Sequence, residues 1–252
     1  MLRLLLPLLL WAGVAGAECR LALALAVDVS RSIDAVDYEI QTQGMADALE
    51  DAEVRRAIFS PEGQVALAVY FWSGSGYQEL EQDWVLLDGP EGLDRVIWTL
   101  RGTKRPEVRL PTALGEALVY GARLMDAAPP CARRVLDVAG DGRNNEGISV
   151  ATAYARTDFG DVVVNALAVG EHEQDVARYF RDEVIRGPGA FVEIAPRQVD
   201  YPPAIRRKLL RELDGPMIGD AGPLRVGSLR FGPLPVGSAR RGAISLDTVG
   251  KS

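Results

Sequence analysis

The sequence predicts a doubly wound α/β fold: a mostly parallel, six-stranded sheet with helices on both faces. Three observations carry this expectation. Short continuous apolar runs recur along the chain, too short to span a membrane and uniform enough for strands covered on both sides. Segments of helical period lie between them, so strand and crossover alternate. Two of the runs end in oxygen-rich turns, at the carboxyl ends of strands, where sheets of this kind bind ligands.

With 252 residues, 48% apolar and 25% charged, the chain has material for a full core, and its length favours one large α/β domain. A net charge of −7 argues against nucleic acid or an anionic membrane surface as partner. Met1 to Ala17 reads as a secretory signal: Arg3 supplies the positive start, LLLPLLLWAGV the apolar centre, and Ala15-Gly16-Ala17 a small-residue cleavage site. A lipid-modified Cys19 is rejected, because Glu18 stands where processing wants a small residue. The domain is expected over 18–218. Residues 219–252, rich in Gly, Pro, Ser and Arg without periodicity, are expected to be a disordered tail.

Leu21–Val27 is the first strand, and it stops abruptly at Asp28-Val29-Ser30-Arg31-Ser32. A helical stretch follows from Ile33 to about Ile58, with Ser32 or Asp34 as its cap. Val65–Trp72 is a second buried strand. SGSG at 73–76 is a flexible loop, without the glycine spacing of a nucleophile elbow, into a more polar edge strand over Glu79–Leu87. Gly92–Leu100 is a short helix. Thr112 is the N-cap candidate for the next helix, with Glu116 near a capping-box position, and Pro129-Pro130 ends it. Val135–Val138 is a third buried strand, running into the turn from Ala139 to Gly147. Helices around Ser149–Arg156, Gln174–Val184 and Val199–Leu213 alternate with strands over Val162–Val169 and Ala190–Ile194.

Asp28, Ser30 and Ser32 fall at i, i+2 and i+4, a spacing that can send one carboxylate and two hydroxyls the same way. Such oxygens suit a hard divalent cation; equally, Asp and Ser are ordinary helix caps. Cys19 and Cys131 each precede a strand candidate. If those strands are parallel neighbours the two thiols are within disulfide reach, and otherwise they are two buried free thiols. Zinc is disfavoured with two cysteines and one histidine, and that histidine, His172, has no triad partner and is expected on the surface. Asp28 as a phosphotransfer nucleophile would want a second acid two residues on, where Ser30 stands. The turn GDGRNNEG lacks both the G-x-G-x-x-G and the Walker patterns, and Asn144 and Asn145 read as turn formers.

Asp28-x-Ser30-x-Ser32, Thr112 at a helix start and Asp141 in a Gly-Asp-Gly turn resemble the metal-ion-dependent adhesion site of von Willebrand factor A domains. More narrowly, ALAVDVSRSID, TALGEAL, RRVLDVAGDGRNNEG, VIRGPGAF and AIRRKLLREL resemble a bacterial family of secreted von Willebrand A-like proteins of unknown function. The resemblance implies a strand order 3-2-1-4-5-6, which makes the first and fourth strands neighbours and so favours a Cys19–Cys131 disulfide. It implies a cation held by Asp28, Ser30, Ser32, Thr112 and Asp141. Mg²⁺ is favoured over Ca²⁺, since no bidentate Glu is evident and few protein ligands leave room for water or a partner, and Mn²⁺ stands as an alternative. The implied function is a secreted, periplasmic, non-enzymatic binding module that captures an Asp or Glu carboxylate of a protein partner. A metal-dependent phosphoester hydrolase, or a structural domain with an empty site, stand as alternatives.

Overall fold

The computed structural model describes residues 19–107, 109–170, 173 and 175–214. The signal segment, the tail from 219 onward and His172 lie outside the described residues. The sheet is centred on β1 (Cys19–Asp28), flanked by β2 (Gln64–Trp72) and β4 (Cys131–Gly140), in the order β3-β2-β1-β4-β5-β6. β5 (Val163–Val169) and β6 (Val192–Ala195) continue it in parallel on one side. On the other, the polar β3 (Gln78–Leu87) runs antiparallel to β2 as an edge strand. This is the doubly wound, mostly parallel sheet expected, with its order reversing between β1 and β4.

β1 divides its two faces by side-chain size. Leu21, Leu23, Leu25 and Val27 pack into the layer of α1 (Ala35–Glu50), α2 (Ala52–Ile58), α3 (Pro90–Gly102) and α7 (Tyr201–Asp214). Alternation sends Ala24 and Ala26 to the opposite face, under α4 (Leu114–Asp126) and α5 (Val150–Arg156). α6 (Val176–Tyr179) is short and passes directly into a π-helical turn over Phe180–Val184. Among the described residues no helix is long and apolar enough to cross a membrane.

Two expectations about helices need correction. The stretch from 33 to 58 is two helices, because Asp51 turns extended (φ −54°, ψ 134°) and accepts from the N–H groups of Glu53 and Val54, starting α2 afresh. Asp34, of the two candidates, caps α1 by accepting from Val36 and Asp37. Thr112 does not cap α4. Ala113 occupies that position with no side-chain bond of its own, and the helix start is held from elsewhere.

Cys19 and Cys131 face each other in the β1–β4 register and form a disulfide, Cα atoms 4.5 Å apart. Beside it, Arg20 donates to the carbonyls of Ala57 and Leu213, which close α2 and α7, and to Gly63 before β2. One guanidinium thus fastens two helix ends to the amino end of the sheet.

Candidate metal centre

The carboxyl ends of β1 and β4 lie at the point where strand order reverses, the usual ligand crevice of such sheets. Asp28 ends β1 on its alanine face and is fully buried, and Asp141 follows β4 and is buried as well. Ser30 N–H donates to Asp28 Oδ1 at 2.7 Å, curling the loop so that its hydroxyl turns back toward the strand end. Ser30 Oγ lies 3.1 Å from Ser32 Oγ, Ser32 Oγ donates to Asp141 Oδ1 at 2.9 Å, and Thr112 Oγ1 meets Ser30 Oγ at 3.4 Å. All five residues picked out in the sequence therefore form one connected cluster, from three loops.

The electrostatics of the cluster are unfavourable by themselves. Burial, and then the neighbouring Asp141 charge, push the Asp28 carboxyl well above the usual carboxylate range, against the lowering effect of Ser30. Asp28 Oδ2 is buried with no hydrogen-bond partner. The space beside it is kept by Gly140: a Cβ there would stand 3.2 Å from that oxygen and 3.3 Å from the Phe180 ring. Two buried carboxylates and three hydroxyls fit a small, oxygen-seeking cation, which would replace the missing donors. Among the described residues no group of three or more His, Cys, Asp or Glu side chains is placed to hold a metal ion; the candidate donors here are two carboxylates and three hydroxyls.

The loops are stitched to one another by residues that the sequence did not mark as functional. Asn145 Oδ1 accepts from Thr112 N–H and Asn144 Oδ1 from Gly115 N–H, each at 2.9 Å. Thr112 carbonyl accepts in return from the N–H groups of Asn145 and Glu146. Asn144 and Asn145 thus supply the start of α4 that Thr112 was expected to cap. Glu116 makes no capping box: it accepts from Ser75 Oγ and Gly76 N–H, while Glu146 accepts from Ser75 N–H. The SGSG loop, expected to be flexible, is bound by two carboxylates and by Ala113 N–H to Ser73 carbonyl. Gly147 takes φ +67°, a left-handed backbone that favours glycine, and a Cβ there would press on the Glu116 side chain. The cue was present: Asn-Asn behind a strand, before Gly, offers side-chain acceptors of backbone length.

Residues 18–217 match the model of a family described as "Protein of unknown function (DUF1194)". The chain belongs to this family. Among solved structures, the DUF1194 chain is similar to proximal thread matrix protein 1 from the mussel byssus (TM-score 0.53, 19% identity, 78% of this chain and 46% of that one). It is also similar to a von Willebrand factor type A protein from Catenulispora acidiphila (0.55, 16%, 77% and 43%). A third is BatB, a conserved hypothetical protein from Bacteroides thetaiotaomicron (0.53, 14%, 77% and 98%). The DUF1194 chain spans less than half the length of the first two. At these identities the likeness is one of fold, the von Willebrand A type. One structure of the byssus protein has a zinc-occupied MIDAS motif, the metal-ion-dependent adhesion site. No curated protein matches the chain in sequence.

Proposed function

We propose that Asp28, Ser30, Ser32, Thr112 and Asp141 hold one divalent cation, and that the domain is a non-enzymatic binding module for an acidic group of a protein partner. The observation that carries this is the buried pair of carboxylates at the carboxyl ends of two strands, with Asp28 Oδ2 lacking any hydrogen bond, closed round by hydroxyls. Paired burial of that kind is costly unless a positive charge compensates it. The all-oxygen donors favour Mg²⁺, with Mn²⁺, Ca²⁺ and the zinc of the byssus protein's motif as comparisons. When bound, such an ion offers a Lewis-acidic position to one further anionic oxygen, and a partner's Asp or Glu suits it.

The chain's own residues do the rest. Asp28 and Asp141 balance the ion's charge, and the hydroxyls fill positions without adding repulsion. Asn145 holds the Thr112 N–H and Asn144 that of Gly115, which ties the third loop to the second. The disulfide supports a secreted or periplasmic site of action, since such bonds persist in oxidising compartments.

The test is thermal unfolding with Mg²⁺, Mn²⁺, Ca²⁺ and Zn²⁺ against chelator, on wild type and Asp28→Ala. Ion at ten times its dissociation constant should stabilise by about 1.4 kcal/mol, roughly 3–6 °C for a domain of this size. Asp28→Ala should lose the response and yet melt no lower than wild type in chelator, because it removes a buried repelling carboxylate. Wild type melting identically with ion and chelator at millimolar concentrations would refute the ion site. Ion-dependent capture of carboxylate-bearing envelope proteins, lost in Asp28→Ala, tests the partner; turnover of a phosphoester with the ion would favour an enzyme instead.

A further inference from the structure

The other buried polar cluster lies on the opposite face of the sheet and takes no part in the candidate metal centre. Lys208 on α7 is completely buried, and its Nζ lies 2.9 Å from Asp137 Oδ1 on β4 and 2.8 Å from Glu212 Oε1 on its own helix. Asp137 and Glu212 are also buried. Asn165 on β5 fixes the arrangement, donating to Glu212 Oε1 at 2.8 Å and accepting from Phe191 N–H at 2.8 Å. The Phe191 ring closes over Lys208 Nζ, 4.5 Å from its centroid. Asp137 Oδ2 and the Tyr201 hydroxyl are buried without hydrogen-bond partners, and both residues line a cavity of about 10 Å³, room for about one water.

We propose that Lys208 and Asp137 are joined by an intramolecular isopeptide bond, formed by the folded protein with Glu212 as proton carrier. An amine and a carboxyl held in contact, out of water, react at a very high effective concentration. Burial pushes the Asp137 carboxyl up, outweighing the lowering pull of Lys208, and so favours its protonated, electrophilic form. Burial alone would lower the lysine, but Asp137 and Glu212 outweigh it and keep Lys208 an ammonium at rest. The reaction therefore begins with one proton passing from Nζ to Glu212. The neutral Nζ attacks Cγ of protonated Asp137, giving a tetrahedral carbon. Its hydroxyl takes the Glu212 proton and departs as water, for which the adjoining cavity has room, and Glu212 then accepts a second proton from the nitrogen. An ammonium, a carboxylate and a carboxylic acid become an amide, one water and a neutral Glu212. No oxidant or co-reactant is consumed, and the two buried charges vanish.

Such a bond would fasten α7 to the strand whose far end carries Asp141, independently of the disulfide. The experiment is mass spectrometry of the full chain, reduced and denatured, followed by a tryptic map. The expected result is a chain lighter by one water, with resistance to trypsin at Lys208 and a branched product joining residues 135–143 to 208–211. Glu212→Gln should return most of the chain to full mass. A wild-type chain at full mass, with the two peptides separate, overturns the proposal, whether or not any variant folds. A loss of water mapped within α7, joining Lys208 to Glu212, overturns it equally.

Discussion

At the scale of single residues, the candidate site depends on side chains one layer behind the oxygens that face one another. Asn145 offers a test of this, because its Oδ1 accepts from the Thr112 N–H and its loop lies against the second loop through two further backbone bonds. Asn145→Ala should cost about 1 kcal/mol of stability, the usual net value of such a bond. It should weaken Mg²⁺ binding several-fold by loosening Thr112. Asn145→Asp keeps an acceptor of the same length and should restore stability in urea unfolding. An alanine variant with unchanged unfolding midpoint and unchanged calorimetric affinity would show that Thr112 is held by the backbone alone.

At the scale of elements, helix ends rather than helix bodies are what the sequence left hidden. Apolar runs ending in acids announce β1 and β4, and the spacing of Asp28, Ser30 and Ser32 marks the cluster proposed as the site, because strand burial and turn chemistry are local. The start of α4 is hidden from a local pattern because its acceptors, on Asn144 and Asn145, lie 29 and 33 residues away along the chain. Lys208 was hidden the same way: in AIRRKLLREL it reads as one more polar-face residue, and only Asp137 inside VLDV and Asn165 inside VVNALAV, polar residues in buried strands, hinted at a partner. The division between α1 and α2 makes a prediction at this scale. Asp51 caps α2 and pairs with Arg206 of α7 at 2.9 Å, and this bond, chiefly, holds its carboxyl down to about 2. A lowered carboxyl stabilises the fold above its unfolded value near 3.8, and the contribution is lost as pH falls from there toward 2. Asp51→Ala should therefore lower the urea midpoint at pH 7, and the gap between variant and wild type should close on acidification through that window. A gap of constant size down to the lowest pH that leaves the protein folded would mean that the cap, and not the charge, carries the effect.

At the scale of the whole molecule, the two ends of the sheet are built for different tasks. The carboxyl end gathers oxygens from three loops and keeps them with side-chain bonds, whereas the amino end is closed by Arg20 and by the Cys19–Cys131 disulfide. The disulfide spans 112 residues of chain, and joins β1 to β4, the two strands on either side of the reversal point. Closing so long a loop restricts the unfolded chain far more than the folded one, where strand register already brings the two residues together. Replacing both cysteines by serine should therefore cost about 2–5 kcal/mol. The loss should appear in urea unfolding as a lower midpoint, with a steeper denaturant dependence because the unfolded chain is freer to expand. The ion response should survive, since Asp28 and Asp141 stand at the opposite, carboxyl ends of β1 and β4. Equal midpoints for the disulfide and serine forms would show that strand pairing and Arg20 alone secure the amino end. A serine form that stays folded but no longer responds to Mg²⁺ would show instead that the two ends of the sheet are coupled through β1 and β4.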